Sequence, residues 1–226
     1  MEYPSQGGAC KNFLSMLERV EAPYYMFCDQ DDVWMPEKIE SSFSKMKETE
    51  AKEEGKPVIV DTDLVVVNEH LQVIHTSFRK YERIEIDFPK KFVDFAALNV
   101  VTGCTMLFNH EVKKNMRRPY DKAVMHDAWI TLCTIAENGV LCNMESPTVL
   151  YRQHGDNTLG ARDVKMLTWK YRVHNIRKVI LLNVSHYRQM KAIAPITLWE
   201  YISAKLRYRK VLYLRKEFDK QTAAVL

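Results

Sequence analysis

The apolar run Tyr24-Tyr25-Met26-Phe27-Cys28 stops at three carboxylates, Asp29, Asp31 and Asp32. A short unbroken run of this kind predicts a buried strand. Pro36 and Glu37 then open a helix over 37–54 that turns Ile39, Phe43 and Met46 toward the core. Upstream, Phe13, Leu14 and Leu17 are spaced as on a short amphipathic helix over 11–20. Gly55-Lys56-Pro57 ends the long helix, and the β-branched runs 58–60 and 64–67 predict one strand and its continuation. Charges dominate 79–91, which predicts an exposed connection. Residues 93–98 are helix-like, and 102–108 predict a strand opened by Gly103. A helix from His126 to about Asn138 is closed by Gly139, with short strands at 140–143 and 148–152. Alternating strands and helices predict an α/β layer architecture over 1–160.

Beyond Arg162 only helix is predicted, giving a second region over 161–226. Met166, Trp169, Val173, Ile176, Ile180, Val184, Tyr187 and Met190 recur every three or four residues, one apolar stripe. Pro195 breaks it, and a second helix from about Thr197 carries Leu198, Ile202, Leu206 and Tyr213. Residues 162–220 hold 15 Lys/Arg against 4 Asp/Glu, a net of +11 in a chain whose total is +4. Either the helices pack as a pair with solvated basic flanks, or they form an aromatic and basic platform for an anionic membrane surface.

The remaining composition excludes more than it selects. At 226 residues with 27% charged and 46% hydrophobic, the chain is long enough for one sizeable core. Five cysteines without a Cys-x-x-Cys pair predict a reduced, cytoplasmic setting. No signal peptide is read at Met1, and no apolar run approaches the length of a membrane span. Phosphate-loop, dinucleotide, nucleophile-elbow and zincin motifs are missing. No RNA-binding motif accompanies the basic tail, so a nucleic-acid partner is not expected.

Carboxylates crowded at the end of a buried strand repel one another unless something positive lies between them. In open α/β sheets that end is also where ligands bind. Mg²⁺ or Mn²⁺ holding a diphosphate would supply the charge, whereas a solvated helix cap needs only one acid such as Asp32.

Phe27-Cys28-Asp29-Gln30-Asp31-Asp32-Val33-Trp34, followed by Pro36-Glu37-Lys38, resembles the Asp-x-Asp region of inverting nucleotide-sugar glycosyltransferases with the GT-A fold. The spelling is similar to the bacterial rhamnosyltransferase-like branch, which builds cell-surface polysaccharides. The resemblance implies Asp31 as metal ligand, and Asp29 and Asp32 toward the donor. It implies Asp127, in Met125-His126-Asp127-Ala128-Trp129, as the base that deprotonates the acceptor hydroxyl. Gly103, Cys104, His126 and Trp129 then surround the acceptor. In Tyr151-Arg152-Gln153-His154-Gly155 it implies a closing loop, with Arg152 clamping the donor diphosphate and His154 completing the metal shell. The implied donor is dTDP-rhamnose, and the implied acceptor a glycan or lipid-linked saccharide at the inner face of the plasma membrane.

The likeness covers about residues 3–160. Enzymes of this kind open with a strand, a Pro-x-Tyr-Asn-like turn and an Asp-Asp-Gly-Ser-like segment for the nucleobase, whereas residues 2–13 resemble the stretch that follows them. The expectation is thus an incomplete GT-A sheet. A separate chain would supply the missing N-terminal segment, or the chain is a non-catalytic module that binds a partner or a membrane.

Overall fold

The strand over Val58–Val67 (β3) is buried along its whole length, so its apolar run is nearly continuous instead of alternating. It runs parallel to β6 (Val140–Arg152) and antiparallel to β5 (Leu107–Asn109) and β4 (Val73–His75). β1 (Tyr24–Met26) adds to β5 at one edge, and β2 (Val33–Trp34) adds to β6 at the other. The loop 27–32 therefore connects strands at opposite edges of the sheet. In this computed structural model, residues 5–153 and 175–223 are described.

Helices cover the sheet. α1 (Ala9–Arg19) buries Leu14 and Leu17, and α5 (His126–Ala136) buries Trp129, Ile130 and Leu132 in the same core as Phe27, Ile59, Met106 and Phe108. α2 (Lys38–Lys52) packs beside β3 over a second cluster of Met46, Val58, Val60 and Leu107. α3 (Phe78–Glu82) and α4 (His110–Lys114) are single turns capped by Ser77 and Asn109. The fold is α/β, with a mixed sheet, flanking helices and two carboxyl-terminal helices.

Several local expectations change. The buried face of α2 is Lys38, Ser42, Met46 and Thr49, while Ile39 is 59% exposed and Phe43 is also exposed. The connection 79–91 is not uniformly exposed, since Arg79 on α3 is buried against β3. The stretch 102–108 is not one strand. It enters as a 3₁₀ turn, Gly103–Thr105, because Thr105 Oγ1 and Thr102 N–H both donate to Asp61, which bends the chain before β5. The strands expected at 140–143 and 148–152 are one, β6, irregular where Asp61 to Leu64 shift register against it.

α6 (Ile176–Ile193) and α7 (Leu198–Ala223) follow. Met190, Ile193, Ile196, Tyr201 and Ala204 join the main core, and Arg207 bonds Asp94 beside the 3₁₀ turn Phe92–Ala96. The two expected regions thus share one core. Of the predicted stripe, Met166, Trp169 and Val173 lie outside the described residues, Met190 is buried, and Ile176, Ile180 and Val184 are exposed.

Candidate functional site

Two segments build the site: the acidic loop between β1 and β2, and the 3₁₀ turn Gly103–Thr105. Asp29, Asp32 and Cys104 bring one ligand atom each to within 4.8 Å of one another. The loop is held from β6. Arg152 N–H donates to Asp32 Oδ1 at 3.1 Å, its Nε to the Asp31 carbonyl at 2.9 Å, and its Nη1 to the Glu69 carbonyl at 3.1 Å. Asp32 Oδ2 is buried without a hydrogen-bond partner. Burial pushes the Asp32 carboxyl up to about 6 and also raises Asp29, to which Asp31 adds repulsion.

The turn is held from beneath by Asp61 of β3, itself 1% exposed. Asp61 accepts from Thr102 N–H and Thr105 Oγ1, and Arg79 donates to its Oδ2 and to its carbonyl. A carboxylate inside an all-buried strand requires such a partner, because an unpaired buried charge is costly. This arrangement aims Cys104, which is buried, at Asp32 and Asp29.

Lys38 completes the cluster. It is 1% exposed, its Nζ has no hydrogen-bond partner, and its charge lies near Cys104, Asp61, Cys28 and Asp32. Burial lowers its pKa, against the pull of those groups. The ammonium also stands 5.0 Å from the Trp34 ring centroid.

Asp127 lies on the other side of the same turn. It occupies the first turn of α5, where an anion is favoured by the helix dipole. Its Oδ1 accepts from Ala128 N–H at 2.7 Å and its Oδ2 from Asn99 Nδ2 at 3.4 Å. Burial pushes the carboxyl up to about 6, opposed by the Ala128 and Gly103 amides and reinforced by Asp61. Gly103 thus faces Asp127 while Cys104, the next residue, faces Asp32. A cavity of about 140 Å³ adjoins Asn99 and Ala128, with Gln189, His186 and Lys205 among its lining.

The expected residues are only partly united. Asp29, Asp32, Gly103, Cys104 and Asp127 converge, with the Cys104 sulfur beside the Asp29 and Asp32 carboxylates. Among the described residues Asp31 lies outside that group, and the carboxylate beside it that turns inward is Asp32. Arg152 straps the acidic loop through two carbonyls, one of them in that loop. His126 is 6% exposed, with its ring 4.4 Å from Phe13 and 4.9 Å from Phe27, and burial lowers its pKa to about 4. A neutral, packed imidazole supports the turn. Trp129 is fully buried and donates to the Arg117 carbonyl, so it belongs to the core. His154 lies outside the described residues.

Sequence reasoning missed Lys38, Asp61, Arg79 and Asn99. A lysine at the first position of a helix opposes the dipole, which was a legible signal for Lys38. Aspartates inside a β-branched strand were a signal for Asp61.

A scan against protein-family models finds no match to this chain, and a search of the curated proteins finds none either.

The residues suit a divalent ion. Two converging carboxylates, one with an orphaned oxygen, give the oxygen ligands that Mg²⁺ or Mn²⁺ takes. Asp29 and Asp32 would hold such an ion, which supplies positive charge for an anionic ligand when bound.

Proposed function

We propose that this chain is a metal-dependent, inverting glycosyltransferase that moves a sugar from a nucleoside-diphosphate donor to a hydroxyl of a glycan or lipid-linked acceptor. The observation that carries this reading is the turn Gly103–Thr105. One of its residues faces the carboxylates suited to a metal–diphosphate, and the residue beside it faces a carboxylate suited to be the base. Transfer with inversion requires that separation of roles, a leaving group neutralised on one side and an acceptor deprotonated on the other. Asp127, with its carboxyl near 6, is ionised at neutral pH yet basic enough to take a proton. The cavity at Asn99 and Ala128 is the place for the acceptor. Rhamnose carried by dTDP is the donor suggested by the motif Cys28-Asp29-Gln30-Asp31-Asp32-Val33-Trp34.

The carboxyl-terminal helices supply an address for this chemistry. α7 buries Tyr201 and Ala204 against the core, and on its other side exposes Leu198, Trp199, Ile202, Leu206 and Tyr213, with Trp199 73% exposed. Apolar residues on both sides of a helix imply a second covering. Arg209 and Lys210 flank the exposed side, and α6 likewise exposes Ile176, Ile180 and Leu181 beside Arg177 and Lys178. An anionic lipid surface suits that pairing of apolar stripe and basic rim. No described helix is long and apolar enough to cross a membrane.

Turnover of a panel of nucleotide sugars with Mn²⁺ or Mg²⁺, in the presence of lipid-linked acceptors, tests the reading. Release of the nucleoside diphosphate from one donor is expected, and its loss in Asp32→Asn and Asp127→Asn. Failure of every nucleoside diphosphate to bind, with anionic vesicles still bound, would instead favour a non-catalytic membrane-docking module.

A further inference from the structure

We propose that the pocket between the acidic loop and the turn Gly103–Thr105 binds a thiophilic divalent ion of the Zn²⁺ class through Asp29, Asp32 and the sulfur of Cys104. The pocket is the one used in the transferase reading, and the new element is its ion and its sulfur ligand.

Geometry comes first. A tetrahedral ion keeps oxygen and sulfur ligands about 2.0–2.3 Å away, so its ligands lie roughly 3.3–3.8 Å apart and the pocket must close by about 1 Å to hold one. The three ligand atoms here fall within 4.8 Å of one another, a spread that a small closure brings onto one ion. Three protein ligands leave the fourth position open, the arrangement of catalytic zinc sites, and a diphosphate oxygen can occupy it.

Chemistry comes second. A buried cysteine ordinarily behaves as a small hydrophobe. Cys104 instead looks onto two carboxylates and donates its thiol proton to Asp32, which places the sulfur beside both acids. Thiolates select soft or borderline ions, while Mg²⁺ takes oxygen.

Lys38 is the independent observation. Its side chain is 1% exposed, its Nζ has no hydrogen-bond partner, and its charge faces Cys104 and Asp32. Asp61, the other acid nearby, is already paired with Arg79. Two carboxylates and a thiolate carry three negative charges, and a divalent ion with the Lys38 ammonium carries three positive ones. Binding forms the metal–sulfur bond and releases the thiol proton to solvent, with no change of oxidation state. Lys38 is then a positioning residue that steadies the thiolate.

Cadmium is the probe, because a cadmium–thiolate bond gives an ultraviolet charge-transfer band. Titrated into the full chain under a non-thiol reductant, Cd²⁺ is expected to give one band per chain. Zn²⁺ should abolish it, and a large excess of Mg²⁺ should not. Cys104→Ser should remove the band and Cys28→Ser should retain it. Asp32→Asn, which keeps all five cysteines, should weaken Cd²⁺ at least tenfold, so the test holds even if Cys104→Ser fails to fold. A band that survives Cys104→Ser, disappears in Cys28→Ser, or never forms overturns the proposal. Loss of Mn²⁺–nucleotide binding in Asp32→Asn but not in Cys104→Ser would sink the sulfur ligand and leave the transferase reading standing. A Cys104 band without any nucleotide binding would do the reverse.

Discussion

Removing the guanidinium under the site is expected to be among the most damaging single changes in the chain. In Arg79→Met the carboxylate of Asp61 loses its charged hydrogen-bond donor and remains at 1% exposure, keeping Thr102 N–H and Thr105 Oγ1 among the described residues. Stranding one member of a buried ion pair costs about 3–5 kcal/mol, a large share of the roughly 5–15 kcal/mol that holds a domain together. At about 2–4 °C per kcal/mol for a chain of this size, melting should fall by roughly 6–20 °C. The pH dependence identifies the cause. Burial already raises the Asp61 carboxyl and Arg79 opposes that rise, so the variant's carboxyl moves higher still. A group whose folded pKa lies above its unfolded value, ordinarily about 3.9, is favoured folded when protonated. The deficit should therefore be full at neutral pH and shrink as pH falls below the raised pKa. Urea unfolding followed by circular dichroism at neutral and mildly acidic pH measures both. Adding Asp61→Asn should recover much of the loss, since the amide keeps hydrogen-bonding capacity without charge. A cost under about 1 kcal/mol, or no recovery in the double variant, would refute the idea that this pair supports the turn.

Other consequences follow from the same site. Gly103→Ala would set a Cβ 2.5 Å from His126 Nε2, a ring fixed between Phe13 and Phe27, and should cost about 1–3 kcal/mol. A double-mutant cycle with His126→Ala should show that cost relieved. Asp127→Asn should lower sugar transfer by roughly 10²–10⁴ while leaving nucleotide binding intact, measured by titration calorimetry. In the unmodified chain, transfer should fall as pH drops through about 6, because the base must be ionised. Trp199→Ser with Leu206→Ser should weaken flotation with anionic vesicles, leave neutral vesicles unaffected, and not change melting, since both side chains are exposed.

Patterns repeating over several residues were legible in the chain. The buried β3, the amphipathic α1 and the glycine closing α5 each follow from local periodicity or turn chemistry, and so does the α/β class. The faces of α2 were not legible, because Ile39 and Phe43 carry the apolar signal while Lys38 and Ser42 occupy the interior. Hydropathy assigns a lysine to solvent, and only a tertiary charge partner reverses that. For the same reason Asp127 stood out only through the resemblance, since an acid at a helix start is ordinarily a dipole partner, and the choice among Asp29, Asp31 and Asp32 could not be read from the chain. That choice depends on which carboxylates the Arg152 strap turns toward Cys104.

The distribution of positive charge explains how such a cluster exists in a folded chain. Asp29, Asp31, Asp32 and Asp61 lie close together, and the nearby cations are Lys38 from α2, Arg79 from α3 and Arg152 from β6. These come from three separate segments, so charge compensation arrives only when the sheet closes. Arg79 and Arg152 spend their donors on Asp61 and on backbone carbonyls, respectively. Among the described residues the Lys38 ammonium donates to no acceptor and rests over the Trp34 ring, while Asp32 has the Cys104 thiol beside it. A buried ammonium and a buried carboxylate that share a pocket without a direct hydrogen bond between them are a costly arrangement for folding alone. They become favourable together when a cation binds the carboxylate and sulfur while the ammonium balances the charge that remains, which is the physical reason to place the chemistry here.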